Sequence, residues 1–147
     1  MKSTELEAGG ERSYALVFDA GDKVVAELDR FAAEHSLTAS HFTGLGAFSD
    51  VVLGFFSIEE RQYERIPIDE QVEVVSLVGD VTSEASGPKV HAHVVVAKRD
   101  GTAHGGHLLR AHVRPTLEVV VTESPSHLHR ETDAATGLAL IKLERRR

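Results

Sequence analysis

The run Val90-His91-Ala92-His93-Val94-Val95-Val96-Ala97 restricts the fold of this chain more than any other stretch. Its β-branched residues, bounded by Gly87-Pro88 and Asp100-Gly101, specify a strand that ends in a tight hairpin. The return strand opens on Gly105-Gly106-His107. Side chains two apart on a strand share a face, so His91 and His93 point the same way. Whether His107 joins them depends on the hairpin register. A two-residue Asp-Gly loop pairs Arg99 with Thr102, sets His93 opposite Leu108 and leaves His107 on the other face. A three-residue loop, a type I turn with Gly101 in the left-handed position as a G1 bulge, pairs Lys98 with Thr102 instead. His93 then lies opposite His107, His91 sits one repeat along the same face, and His104 turns away opposite Val96. The second register is preferred, because a one-residue slip would scatter the histidines.

Imidazole is the commonest protein ligand for a transition metal, and directly opposed Cβ atoms are only ~5 Å apart. Three imidazoles with no thiolate or carboxylate would leave a fourth position for water, the open arrangement of catalytic zinc. Against this stands the ordinary fate of a strand histidine, which is solvated or satisfied in the core, and a chain with nine histidines produces coincidences. A second pair, His127 and His129, follows Ser124-Pro125-Ser126 and precedes a charged run, so it reads as a surface segment.

The chain has 147 residues, enough for one domain with a real core and too few for two ordinary ones. It has no cysteine, which removes disulfides and thiolate metal sites and fits a reducing cytoplasm. The first seven residues lack the apolar core of a signal peptide, and no apolar run approaches ~20 residues, so no membrane span is expected. A net charge of −7 opposes phosphate-backbone binding. The one basic cluster, Arg145-Arg146-Arg147, reads as a solvated tail.

Residues 1–11 are polar and expected to be loose, 12–143 form one domain, and 144–147 are the basic tail. Ser13 to Asp19 reads as a first strand. Asp22 is placed to cap a helix whose apolar positions Val24, Val25, Leu28, Phe31 and Ala32 follow the 3.6 period, ending near His35-Ser36. Gly44-Leu45-Gly46 introduces a strand over Ala47 to Ser57. It is not a phosphate loop, since no Gly-Lys-Ser follows and a strand, not a helix, comes next. Further strands are expected over Gln62–Ile66, Val72–Val81, Thr116–Thr122 and Leu138–Leu143, with a turn at Pro67–Glu70 and a loop from Ser83 to Lys89. Glu73 lies among apolar neighbours, as an exposed strand residue or a buried, paired carboxylate. The expected fold is α+β: a single, largely antiparallel sheet with one main helix packed on it.

Gly44-Leu45-Gly46-Ala47-Phe48-Ser49-Asp50, Val72-Glu73-Val74-Val75-Ser76-Leu77-Val78-Gly79, His91-Ala92-His93, Asp100-Gly101, Gly105-Gly106-His107-Leu108 and Thr116-Leu117-Glu118-Val119 together resemble the PPC (plant and prokaryote conserved) domain, a domain of unknown function. The resemblance runs from about Arg12 to Leu143. It implies a homotrimer, with His91, His93 and His107 matching the histidines expected to bind metal in prokaryotic members. The three-imidazole set itself points to zinc or another divalent transition metal, with a small-molecule ligand at the open position. Glu73, which the family keeps and whose strand is expected beside the hairpin, is the candidate acid/base or supporting carboxylate. In plants the domain follows AT-hook DNA-binding segments and serves trimerisation and contacts with nuclear proteins. This chain has no Arg-Gly-Arg-Pro hook, and its Gln71-Val72-Glu73-Val74-Val75 keeps only the Glu of the plant Gly-Arg-Phe-Glu-Ile-Leu motif. A DNA-associated or regulatory interaction module is the alternative function, and the acidic balance disfavours it. No reaction is named by the resemblance.

Overall fold

The computed structural model describes residues 1–6, 12–124 and 128–143. In chain order these form β1 (Lys2–Leu6), β2 (Ser13–Phe18), α1 (Val24–Glu34), β3 (Ala39–Ser57), β4 (Gln62–Ile68), β5 (Val72–Glu84), β6 (Gly87–Ala97), β7 (Ala103–Glu123), β8 (His129–Thr132) and β9 (Ala139–Lys142). The fold is α+β and mainly β. Every strand pairing is antiparallel except one parallel bridge between Ser83 of β5 and His129 of β8. β3 pairs with both β5 and β7, and β6 closes the circuit by pairing with the same two strands. No helix among the described residues is long and apolar enough to cross a membrane.

Alternation separates the two faces most clearly along β2 and β6. Tyr14, Leu16 and Phe18 of β2 pair with Val121, Val119 and Leu117 of β7 and are buried with them. α1 covers this side, burying Val24, Leu28, Phe31 and Ala32, and Asp29 ties it to β6 by accepting the Val90 N–H at 3.1 Å. Val17, Leu45, Val75, Val78, Val95 and Val120 are left exposed on the opposite, outer face. His93 lies opposite Val78, so the histidines belong to that outer face.

Four local expectations are corrected. Lys2–Leu6 is not loose but pairs with β2 from Lys2↔Val17 to Leu6↔Ser13. An edge strand needs only backbone partners, so its exposed polar side chains are no obstacle. Residues 7–11 and 144–147 lie outside the described residues. β3 does not begin after Gly44-Leu45-Gly46 but runs through it, and the β3–β5 register shifts there. The glycines let β3 approach β7: a Cβ on Gly46 would sit 2.4 Å from the Thr116 carbonyl oxygen and 2.7 Å from the Leu117 Cα. β7 is a single strand of 21 residues. Pro115, which lacks a ladder donor, falls between Val113 and Leu117, where the register with β3 shifts. Finally, Lys23 rather than Asp22 precedes the helix, and it makes no side-chain cap. Asp22 is drawn instead into the preceding turn, where it accepts the Asp19 N–H at 2.9 Å.

Candidate metal centre

The hairpin between β6 and β7 has the three-residue loop. The Lys98 N–H donates to the Thr102 carbonyl at 2.9 Å, the Gly101 N–H donates to the Lys98 carbonyl at 2.9 Å, and Gly101 has φ +82°. Gly101 takes that positive φ at little cost, whereas Asp100 has no positive φ, which excludes the two-residue type I′ loop. His93 accordingly pairs with His107, and His104 with Val96. Ring centroids of His91, His93 and His107 lie 5.1–5.3 Å apart, and one nitrogen from each comes within 4.8 Å of the others. Tetrahedral zinc with nitrogens at about 2.0–2.1 Å needs them roughly 3.4 Å apart, a closure within reach of small side-chain rotations.

Two of the rings already have partners on their far sides. Nδ1 of His91 lies 3.3 Å from Nη2 of Arg130 and 3.9 Å from Oδ2 of Asp80. Nδ1 of His107 lies 3.4 Å from the Tyr63 hydroxyl, whose ring stacks on it at 4.6 Å between centroids. The Tyr63 oxygen and the Asp80 carboxylate are acceptors beside the two Nδ1 atoms, so each ring can carry its proton there and offer Nε2 to an ion, the usual division of labour in a ligating histidine.

Burial, followed by the neighbouring His91 and His93, holds the His107 pKa down to about 4 from an ordinary 6.5. His93 is shifted down in the same way, by burial and then by His91. Burial of Asp80 opposes its charge, but hydrogen bonding to His91 and Arg130 outweighs that and lowers its pKa overall. Burial raises the pKa of Tyr63, so its hydroxyl stays neutral, and its oxygen can accept the Nδ1 proton that His107 carries when Nε2 takes an ion. His93 and His107 are therefore held towards the neutral imidazole, the form that binds a cation. In metal-free protein, stability carried by the unprotonated His107 is fully present above pH 6.5. It declines as the pH falls towards about 4, because the unfolded chain takes up a proton that the folded one refuses. Titration of the His107 ring by NMR should give a midpoint well below 6.5, and a midpoint at the ordinary value would remove this contribution.

The histidines form the floor of a cleft of about 590 Å³. Phe55, Phe56 and Tyr63 line one wall, and Leu138, Ala139 and Leu140 line the other. Glu73 does not join them. Its strand does pair with β6, as expected, but Glu73 lies opposite Ala97 and is exposed, whereas Val78 and Asp80 lie opposite His93 and His91. Five residues separate Glu73 from Val78, roughly 16 Å along a strand. Asp80 is the carboxylate beside the site. It could have been found by counting the β5–β6 hairpin, had Ser83–Lys89 not been read as loop. Instead β5 extends to Glu84 and β6 begins at Gly87. Nothing local in the sequence marks Tyr63 or Arg130. His129 is exposed, 3.9 Å from Glu131, and His127 lies outside the described residues.

Residues 5–125 match the Plants and Prokaryotes Conserved (PCC) domain. A metal-containing protein from Archaeoglobus fulgidus is 34% identical and superposes with a TM-score of 0.83, covering 97% of this chain and 100% of that one. A Bacteroides thetaiotaomicron protein provisionally named for DNA binding is 26% identical with a TM-score of 0.89, covering 97% and 99% of the two chains. The Bifunctional protein GlmU of Synechococcus sp. (strain JA-3-3Ab) is 29% identical over 143 residues. That match takes in 95% of this chain but only 22% of that protein's length.

Proposed function

The chain belongs to the Plants and Prokaryotes Conserved domain family, and on that premise we propose that it is a homotrimeric metal-binding protein of the cytoplasm. His91, His93 and His107 hold a divalent transition metal, zinc foremost, with one position open to a small molecule. The observation that carries this reading is the convergence of three imidazole nitrogens within 4.8 Å at the floor of a cleft. The metal content of the Archaeoglobus fulgidus relative supports it. Bound zinc supplies a Lewis acid and lowers the pKa of a bound water. The protein's own contribution is to aim the rings: Tyr63 fixes His107, Asp80, itself held by Arg130, orients His91, and the apolar lining limits water at the open side. Glu73 lies too far along β5 for a part in this. The apolar outer face bearing Val17, Leu45, Val75, Val78 and Val120 is the surface proposed to pack between the three copies.

Untagged protein purified without chelator should carry about one equivalent of zinc or a related metal per chain by mass spectrometry, and less than about a tenth of an equivalent would overturn the reading. A second reading, a DNA-associated module, is favoured only by the name of the Bacteroides thetaiotaomicron relative. It requires duplex binding that weakens steeply with salt, and a net charge of −7 stands against it.

A further inference from the structure

Two four-residue strands make a hairpin that is marginal by itself in water. β8 and β9 are such a pair, and β8 adds only the single bridge between Ser83 and His129 to the main sheet. Yet β8 carries Arg130, whose side chain is only 10% exposed. Its Nε donates to Oγ1 of Thr82 at 3.0 Å, its Nη1 to the Ala139 carbonyl at 2.8 Å, and its Nη2 to both oxygens of Asp80 at 3.0 and 2.9 Å. The same Nη2 reaches Nδ1 of His91 at 3.3 Å. One guanidinium therefore joins β5, β6 and β9. A buried charge is costly to leave unpaired, so docking of the hairpin depends on the bonds of Arg130 to Thr82, Ala139 and Asp80.

The cluster stands directly behind a proposed ligand. Asp80 and His91 are opposite each other in the β5–β6 register. A metal taken by Nε2 of His91 leaves the ring proton on Nδ1, where it needs an acceptor. Arg130 can only donate, so its own contact with Nδ1 is given up in that state and it acts on the ring through Asp80. The acceptor in reach is Oδ2 of Asp80, 3.9 Å from Nδ1, and Arg130 is what holds that carboxylate in place.

We propose that Arg130 is a positioning residue that couples docking of the β8–β9 hairpin to the metal centre. The docked hairpin orients Asp80 and His91 for the ion, and the bound ion in return tightens the hairpin. Since Leu138, Ala139 and Leu140 wall the cleft, the ion thereby governs the wall against which a small ligand would lie. This rests on the three-histidine reading and adds to it a thermodynamic coupling, which is reciprocal: the factor by which docking raises metal affinity equals the factor by which metal favours docking.

The test uses the full chain as wild type, Arg130→Met and Arg130→Lys. Zinc affinity is measured by chelator competition, and amide hydrogen exchange over 129–132 and 139–142 is followed with and without zinc, with β2 as the internal control of folding. Zinc should slow exchange of the wild-type hairpin about tenfold to a hundredfold, and Arg130→Met should weaken zinc binding by the same factor and abolish the slowing. Arg130→Lys should fall between the two, keeping the charge but not the fork. Wild-type exchange in the hairpin unchanged by zinc, or zinc affinity unchanged in Arg130→Met, overturns the coupling alone. Wild-type protein that binds no zinc overturns the three-histidine reading, and the coupling with it.

Discussion

Replacing His93 with alanine is expected to weaken transition-metal binding by about a hundredfold or more while leaving the assembly mass unchanged. His93 stands 5.2 Å from His91 and 5.3 Å from His107 by ring centroids, so its loss reduces a three-imidazole site to two. Two imidazoles are a common surface accident and hold zinc only weakly. The side chain lies on the exposed outer face, so truncating it opens no cavity in the core and should cost little stability. Metal content by mass spectrometry and assembly mass by sedimentation separate the two consequences. Retention of metal with loss of the assembly would make the histidine a structural residue between copies and would sink the metal-centre reading.

Gly46→Ala should be the most damaging small substitution away from the site, costing about 3 kcal/mol or preventing folding. The added methyl would lie 2.4 Å from the Thr116 carbonyl oxygen and 2.7 Å from the Leu117 Cα. Both are backbone atoms of β7, so no side-chain rotation relieves the overlap, and β3 must part from β7 at the last pair before their register shifts. At Gly44 an added methyl would lie 2.9 Å from Cγ2 of Val119 and 3.0 Å from the Glu118 carbonyl oxygen, looser than the backbone contacts at Gly46, so Gly44→Ala should be milder. Urea unfolding of the two variants beside the wild type provides the measurement. A Gly46→Ala loss below about 1 kcal/mol would show that the close strand approach is not what the glycine serves.

The difference between the elements read correctly and those misread follows the range of the interaction. The helix over Val24–Glu34 follows from an apolar period within eleven residues, and the β6–β7 register follows from a turn of three residues. By contrast, Gly44-Leu45-Gly46 looks like a strand boundary, because glycine usually punctuates. It becomes mid-strand only because β7, some seventy residues later, presses against it. Pro115 misleads in the same way, since a register shift against β3 supplies the gap it needs. Lys2–Leu6 has no apolar pattern to read and becomes a strand through backbone pairing with β2 alone.

The candidate site divides along the same line. The sequence by itself determined the three histidines and their common face, because strand alternation and the turn conformation act over a few residues and leave no alternative register that gathers them. Only the tertiary structure decided what stands behind those histidines. Tyr63 from β4, Asp80 from β5 and Arg130 from β8 come from three separate segments, and their side chains carry no periodic or motif signal. It likewise replaced Glu73 with Asp80, since two carboxylates seven residues apart on one strand are told apart only by which of them the antiparallel register sets opposite His91. Hydrogen bonds between distant segments depend on how whole strands are laid against one another, and that is a property of the packed chain rather than of any stretch of it.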